Sequence, residues 1–93
     1  MSSASLDRRL RVSDDVVFRE LEGEAVLLNL ASGLYFGLDA IGTRIWQLLG
    51  EHQTLQAVFD QMLQEFEVDD QTLRSDLLAL VDRLMAHGLV QPA

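Results

Sequence analysis

The chain has 93 residues, which is enough for one small domain with a single hydrophobic core and too few for two domains. Hydrophobic residues make up 48% of the sequence, so an intrinsically disordered chain is excluded. Fifteen acidic residues, seven arginines and no lysine give a net charge of −8, which argues against nucleic acid as the main partner because phosphates are bound by basic side chains. Without cysteine there is no disulfide and no thiolate metal site.

The sequence also carries no segment typical of export or of membrane insertion. The first fifteen residues lack the apolar core of a signal peptide. The longest apolar-rich run, residues 25–38, is interrupted by Asn29, Ser32 and Gly33, and it is shorter than the roughly 20 residues that cross a bilayer. We therefore expect a cytoplasmic protein with no membrane partner.

The N-terminal segment is predicted to lie outside the fold. Residues 1–7 are small and polar and are expected to fray. Arg8, Arg9 and Arg11 form a short basic run, which we interpret as a solvated tail beside an acidic domain and not as a binding site. The ordered core of the single domain, residues 1–93, is expected over about residues 11–90.

Three strands are predicted next, because three runs rich in β-branched, aromatic and other apolar residues are separated by short turns. The runs are Val16–Leu21, residues 25–30 and Leu34–Leu38, and the turns contain Gly23 and Gly33. Short turns favour an antiparallel meander with the second strand in the centre. The first and third strands are then the two edges of the sheet.

The third strand has an unusual pattern for an edge. A period of two places Leu34, Phe36 and Leu38 on the core face and Tyr35 on the other face, between Gly33 and Gly37. Glycine inside a strand marks a bulge or a close approach of another backbone, and the sequence leaves both interpretations open. No charge or proline protects residues 33–38, although natural edges are usually protected in one of these ways.

Three helices are predicted after the strands. Asp39 is a suitable N-cap for the first, which ends near Gly50 and has apolar residues, including Ile41, at helical spacing; its Trp46 is assigned to the core. Thr54 caps the second helix, whose single apolar stripe is typical of core packing. That stripe consists of Leu55, Val58, Phe59, Met62, Leu63 and Phe66.

The third helix is predicted over about residues 70–87, with the carboxylates of residues 67–70 favouring its N-terminus. Its apolar stripe is wider than one core contact requires, so part of it should be covered by something else. Gly88 is predicted to be a left-handed C-cap, with Leu89 packing back on the helix and Val90 ending the fold. His87 is expected to interact with the helix C-terminus.

The open third strand and the broad helical stripe together suggest a groove that accepts a peptide as an added strand. The alternative is that the same edge docks a partner protein or a second copy of the chain. A third class, DNA binding by a winged helix, is disfavoured because the third helix carries three aspartates against two arginines. We expect no enzymatic activity, metal or cofactor, since His52 and His87 are the only imidazoles and no phosphate loop or nucleophile motif is present.

An ordered series of motifs resembles the PqqD-like family, the recognition domains of pathways that modify ribosomally made peptides. The resemblance covers residues 11–90 and rests on residues 28–30, the run Ser-Gly-Leu-Tyr-Phe-Gly-Leu-Asp at 32–39, Gly42, residues 45–49, residues 76–80 and residues 84–90. It implies an α+β winged helix-turn-helix fold, in which a three-stranded antiparallel sheet is followed by three α-helices.

The resemblance also implies a function and a site. The domain would bind the leader segment of a precursor peptide by antiparallel strand addition and present it to a separate modifying enzyme or leader peptidase, in a lasso-peptide or pyrroloquinoline quinone type of pathway. The protein itself would be a monomer or a weak dimer. The implied binding residues are Leu34, Tyr35, Phe36 and Gly37 on the strand, and Leu73, Asp76, Leu77, Leu80 and Arg83 on the third helix. From these positions Tyr35→Ala and Leu77→Asp are expected to weaken peptide binding while the fold survives.

Overall fold

A computed structural model describes residues 6–52 and 54–93. Three strands and three helices form the body of the fold, and a short strand lies at each end of the chain. The strands are β1 (Leu10–Val12), β2 (Val16–Leu21), β3 (Glu24–Asn29), β4 (Leu34–Leu38) and β5 (Val90–Pro92). The helices are α1 (Ala40–Glu51), α2 (Leu55–Glu65) and α3 (Asp70–Ala86). The predicted α+β arrangement of an antiparallel three-stranded sheet followed by three helices is confirmed.

The main sheet is the predicted meander, with the order β2-β3-β4 and antiparallel pairing throughout. A two-residue turn joins β2 to β3, and its two residues, Glu22 and Gly23, have positive φ angles of 55° and 84°. Such a turn matches the right-handed twist of the flanking strands. Strand β3, the second of the three predicted strands, begins one residue earlier than predicted. It ends at Asn29, because Leu30 already belongs to the next turn.

Each of the three long helices begins at a capping side chain, as the sequence predicts. A side-chain oxygen of the N-cap accepts a bond from a backbone N–H of the first turn, which would otherwise have no partner. The capping bonds join Asp39 to Gly42 at 2.8 Å, Thr54 to Ala57 at 3.3 Å and Asp69 to Thr72 at 3.0 Å. Gly88 has a φ of 71° and ends α3, with Leu89 buried behind it.

The core lies between the inner face of the sheet and the three helices. Ala25 and Leu27 of the central strand are buried there, and so is the predicted core residue Trp46. The N–H of Ala25 donates to the buried hydroxyl of Thr43 at 2.8 Å, which joins the sheet to α1. No helix in the described ranges, 6–52 and 54–93, is long and apolar enough to cross a membrane.

The ends of the chain are more ordered than the sequence predicts. Residues 1–5 of the expected frayed segment lie outside the described residues, but Leu6 is only 3% exposed. The basic run is not a solvated tail, because Arg11 lies in β1, which pairs antiparallel with β5, and Arg9 forms a bridge to Thr54. The chain therefore does not end its fold at Val90. The pairing joins residues about 80 apart in sequence. A three-residue strand carries no local pattern from which such a distant partner could be predicted.

Leu34 is a second correction, since it was expected in the core and is 61% exposed. It lies at the first position of β4 and is paired with Asn29, whose side chain bonds to the carbonyl of His87 just beyond the last residue of α3. Gly37 is not at a bulge, because the pairs Val26–Gly37 and Leu27–Phe36 follow each other without an extra residue. Gly33 serves the turn, where its φ is 75°.

Candidate functional site

The direction of the backbone groups in β3 can be derived from two hydrogen bonds at its end. The N–H of Leu30 donates to the carbonyl of Asp15 at 2.8 Å, on the side of β2. The carbonyl of Asn29 accepts from the N–H of Gly33 at 2.7 Å, on the side of β4. Because successive residues of an antiparallel strand direct their backbone groups to opposite sides, the odd-numbered positions 27 and 29 bond to β4.

The same alternation fixes the free groups of β4. Leu34 and Phe36 are paired with positions 29 and 27, so their backbone groups point into the sheet. The N–H and C=O groups of Tyr35 and Gly37 therefore point outward. Within residues 6–52 and 54–93 no strand pairs with this side of β4, so it presents two donors and two acceptors in a row.

A groove of about 530 Å³ lies beside this edge, between β4, the start of α1 and one face of α3. Its walls combine apolar side chains with charged groups, and the bare backbone of Gly37 forms part of its rim. The lining residues are Gly37, Leu38, Asp39, Ile41, Gly42, Ile45, Asp76, Ala79, Leu80 and Arg83.

At one end of the groove, α3 is held against β4 by contacts around Phe36. The ring of Phe36 meets the His87 ring edge-on, with their centroids 4.9 Å apart. The guanidinium carbon of Arg83 lies 5.4 Å from the centroid of the same ring, within the range of a cation–π contact. Nδ1 of His87 lies 2.8 Å from the carbonyl of Arg83, which confirms that this histidine interacts with the last turn of the helix.

The arrangement is an edge strand with free backbone groups beside an apolar groove, a geometry that suits an extended polypeptide. Comparison with known proteins bears on it directly. A family model described as coenzyme PQQ synthesis protein D (PqqD) matches residues 24–90, which include β3, β4 and all three helices. The chain belongs to the PqqD family. The match covers both walls of the groove.

Two solved structures are similar to this PqqD-family chain over most of its length. One is TbiB1 in complex with the TbiA(beta) leader peptide, with 40% sequence identity, a TM-score of 0.81 and coverage of 87% of this chain and 94% of the other. The second is lasso peptide synthetase B1 complexed with the leader peptide, with 26% identity, a TM-score of 0.78 and coverage of 90% and 99%. No curated protein sequence matches the chain.

The structure brings together part of the residue set that the family resemblance implies. Gly37, Asp76, Leu80 and Arg83 line the groove, and Phe36 contacts Arg83 at its end. Tyr35 and Leu34 lie outside the groove lining and are exposed on opposite faces of β4.

Two residues of α3 lie on its inner side, away from the groove. Leu73 is 2% exposed and Leu77 is 0% exposed, both within the core cluster. Neither lines the groove, although both share with Leu80 the apolar stripe on which the sequence prediction was based. The stripe is wide because it serves two contacts, and its inner part is already covered by the core.

Sequence reasoning missed the contribution of α1 to this PqqD-family groove. Asp39, Ile41 and Gly42 line it, because the turn from β4 into α1 places the first helical turn beside α3. The position of Ile41 in the sequence could have indicated this contribution. It was assigned to the apolar stripe of α1, but as the second residue of the helix it lies ahead of the core contacts, and it is 40% exposed.

Proposed function

We propose that this protein binds the leader segment of a ribosomally made precursor peptide by strand addition to β4, and presents the bound peptide to a separate modifying enzyme or leader peptidase. The observation that carries the proposal is the outer side of β4 beside the groove, which pairs with no strand among the residues that the structure describes. The two similar structures contain leader peptides, which supports the same kind of ligand here.

The size of the site is compatible with useful affinity. Four backbone hydrogen bonds at Tyr35 and Gly37 contribute about 1 kcal/mol each, and two apolar side chains placed in the groove contribute about 2–3 kcal/mol each. The gross gain of about 10 kcal/mol is reduced by the ordering of the peptide and the loss of its translational freedom. We therefore expect a dissociation constant no tighter than about 1 μM, which corresponds to about −8 kcal/mol.

The test is a titration of ¹⁵N-labelled protein with a synthetic TbiA(beta) leader peptide, followed through backbone amide shifts. We expect saturable shifts at Tyr35 and Gly37 and along the groove face of α3, and smaller ones at the opposite edge, Val16–Leu21. Shifts confined to Val16–Leu21 would contradict the proposal. So would a stable dimer that binds neither this peptide nor peptides selected from a random library.

A further inference from the structure

Two charged residues that line the groove have no charged partner in the described part of the chain. Asp76 and Arg83 are both exposed, and neither side chain takes part in a hydrogen bond or an ion pair with residues 6–52 or 54–93. They are seven residues apart on α3, so they lie on the same face and about 10 Å apart along the helix. The other ionisable side chain of the lining, Asp39, has one carboxylate oxygen bonded to the N–H of Gly42 at 2.8 Å.

The contacts between α3 and β4 show that the two elements run in opposite directions. Arg83 and His87, at the C-terminal end of α3, contact Phe36, the middle residue of β4. At the same end Nδ2 of Asn29, which is paired with Leu34, donates to the carbonyl of His87 at 2.8 Å. Asp76, two turns earlier in the helix, lines the groove together with Leu38, the last residue of β4.

An added strand should pair antiparallel with β4. Every pairing in the sheet is antiparallel, and antiparallel ladders are more stable per residue than parallel ones. A segment that is antiparallel to β4 runs in the same direction as α3. Its N-terminal half then lies beside Asp76 and its C-terminal half beside Arg83.

We propose that these two charges select the sequence and direction of the bound peptide: a cationic side chain in its N-terminal half faces Asp76, and an anionic side chain in its C-terminal half faces Arg83. This inference rests on the proposed function. Because alternate residues of a strand face the same side at about 3.4 Å per residue, the two peptide charges should be two or four positions apart. A segment with the reverse order of charges meets a like charge at each end.

Helix dipoles do not cancel this pattern. The N-terminus of α1 carries partial positive charge, which offsets Asp39 because that carboxylate caps the helix, and Asp76 remains the uncompensated negative group at that end. The C-terminus of α3 carries partial negative charge, which is distributed over the last carbonyls, one of which is bonded to the His87 backbone N–H. The guanidinium carbon of Arg83 lies 5.4 Å from the centroid of the Phe36 ring, and the N–H groups of this side chain make no hydrogen bond with residues 6–52 or 54–93, so they are available to a carboxylate.

The test begins with a display library of random twelve-residue peptides, from which those that bind the protein are selected. Among the binders we expect cationic residues to be enriched two or four positions before anionic ones. Among peptides selected for binding to the Arg83→Glu variant, a cationic residue should be enriched at the position where the unmodified protein selects an anionic one. Arg19→Glu makes the same change in net charge on the exposed strand β2 and serves as the matched control, for which the enrichment should stay as in the unmodified protein.

Two synthetic peptides of identical composition then test the order of charges, one selected sequence and one with its two charged residues exchanged. We expect the exchanged peptide to bind about five-fold more weakly at low salt, and the difference to shrink as salt screens the charges. The double variant Asp76→Arg, Arg83→Asp should reverse the preference. The paired variant Glu67→Arg, Arg19→Asp reverses one acidic and one basic charge away from the groove. It should leave the preference between the two peptides unchanged.

Amide shifts at Tyr35 and Gly37 separate failure of this inference from failure of the proposed function. Equal binding of the two peptides with shifts at β4 would overturn the charge selection and leave strand addition intact. A preference for the exchanged peptide, with shifts at the same residues, would also overturn the proposed charge selection, since the bound strand would then run parallel to β4. Binding without shifts at β4 would overturn both.

Discussion

Burial separates two groups among the residues that the family resemblance implies for binding. Tyr35 is 71% exposed, and its side chain lies on the solvent face of β4 beside the position of an added strand. Leu77 is 0% exposed and packs in the core. The burial of Leu77 argues against survival of the fold in Leu77→Asp, because an unpaired carboxylate at this position has no access to water.

We predict opposite behaviour for these two residues. Tyr35→Ala should leave the melting temperature within a few degrees of the unmodified protein. It should weaken peptide binding by up to about five-fold, through loss of an aromatic cross-strand contact worth about 0.2–1 kcal/mol. Leu77→Asp should abolish the cooperative unfolding transition. Thermal unfolding followed by circular dichroism, together with peptide titration by fluorescence anisotropy, checks both, and a folded Leu77→Asp variant would disprove the assignment of Leu77 to the core.

At the scale of elements, β4 is defined by what it lacks. It carries no charge or proline that would prevent pairing with another chain, although such protection is usual for an edge. Gly37 is regularly paired with Val26, and a Cβ added there would meet nothing within 4 Å. The interior of the fold therefore does not require glycine at this position. An added strand would use the outward N–H and C=O of this residue, which do not depend on the missing side chain.

Gly37→Pro should separate folding from binding. The N–H of this residue faces outward, so its loss breaks no bond within the sheet, and proline is tolerated on edge strands with this orientation. Peptide affinity should fall about five- to ten-fold or more, since one hydrogen bond worth about 0.5–1.5 kcal/mol is lost and the ring lies against the incoming strand. Gly37→Ala keeps the N–H and is the matched control, with affinity expected within about two-fold. Equal peptide binding by the proline and alanine variants would contradict strand addition at β4.

At the scale of the whole molecule, polar contacts connect elements that are distant in sequence. The Arg44 guanidinium donates two bonds of 2.7 Å to the two carboxylate oxygens of Glu65, which joins α1 to the end of α2. Nη1 of Arg44 also donates to Gln47, whose amide donates to Glu20 of β2. The paired strands β1 and β5 join the first and last strands of the described chain.

The Arg44–Glu65 pair predicts a dependence of stability on pH. Bonds from Arg44 and then from Gln61 lower the pKa of Glu65 from its usual 4.5 to about 2. Because the pKa is depressed in the folded state, the stabilisation is fully present above about pH 4.5 and is lost as the pH falls toward 2. Glu65→Gln should therefore lower the melting temperature at pH 6, and the difference from the unmodified protein should narrow at pH 3.

Glu67→Gln is the control for this measurement. It removes an exposed carboxylate two residues away that has no hydrogen bond or ion pair in the described ranges. Its effect on the melting temperature should be small and should not change between pH 6 and pH 3. If the two variants behaved alike, the contact between α1 and α2 would not be a source of the acid sensitivity.

The sequence by itself determined the features that depend on neighbouring residues. The meander follows from glycine turns between apolar runs, and the three helices follow from Asp39, Thr54 and Asp69 as caps and from Gly88 as a left-handed end. The open edge was also predictable, because it needs only the absence of protecting residues in β4. In each case the physical cause lies within a few residues of the feature.

Only the tertiary structure decided which side chains the groove takes from each element. Periodicity placed Leu73, Leu77 and Leu80 on one stripe. All three belong to the core cluster, but the packing of the other elements decides that only Leu80 among them also lines the groove. The pairing of β1 with β5 and the contribution of Ile41 likewise depend on contacts between distant segments. Local patterns show that a side chain is apolar, whereas the partner that covers it is fixed only when the elements pack together.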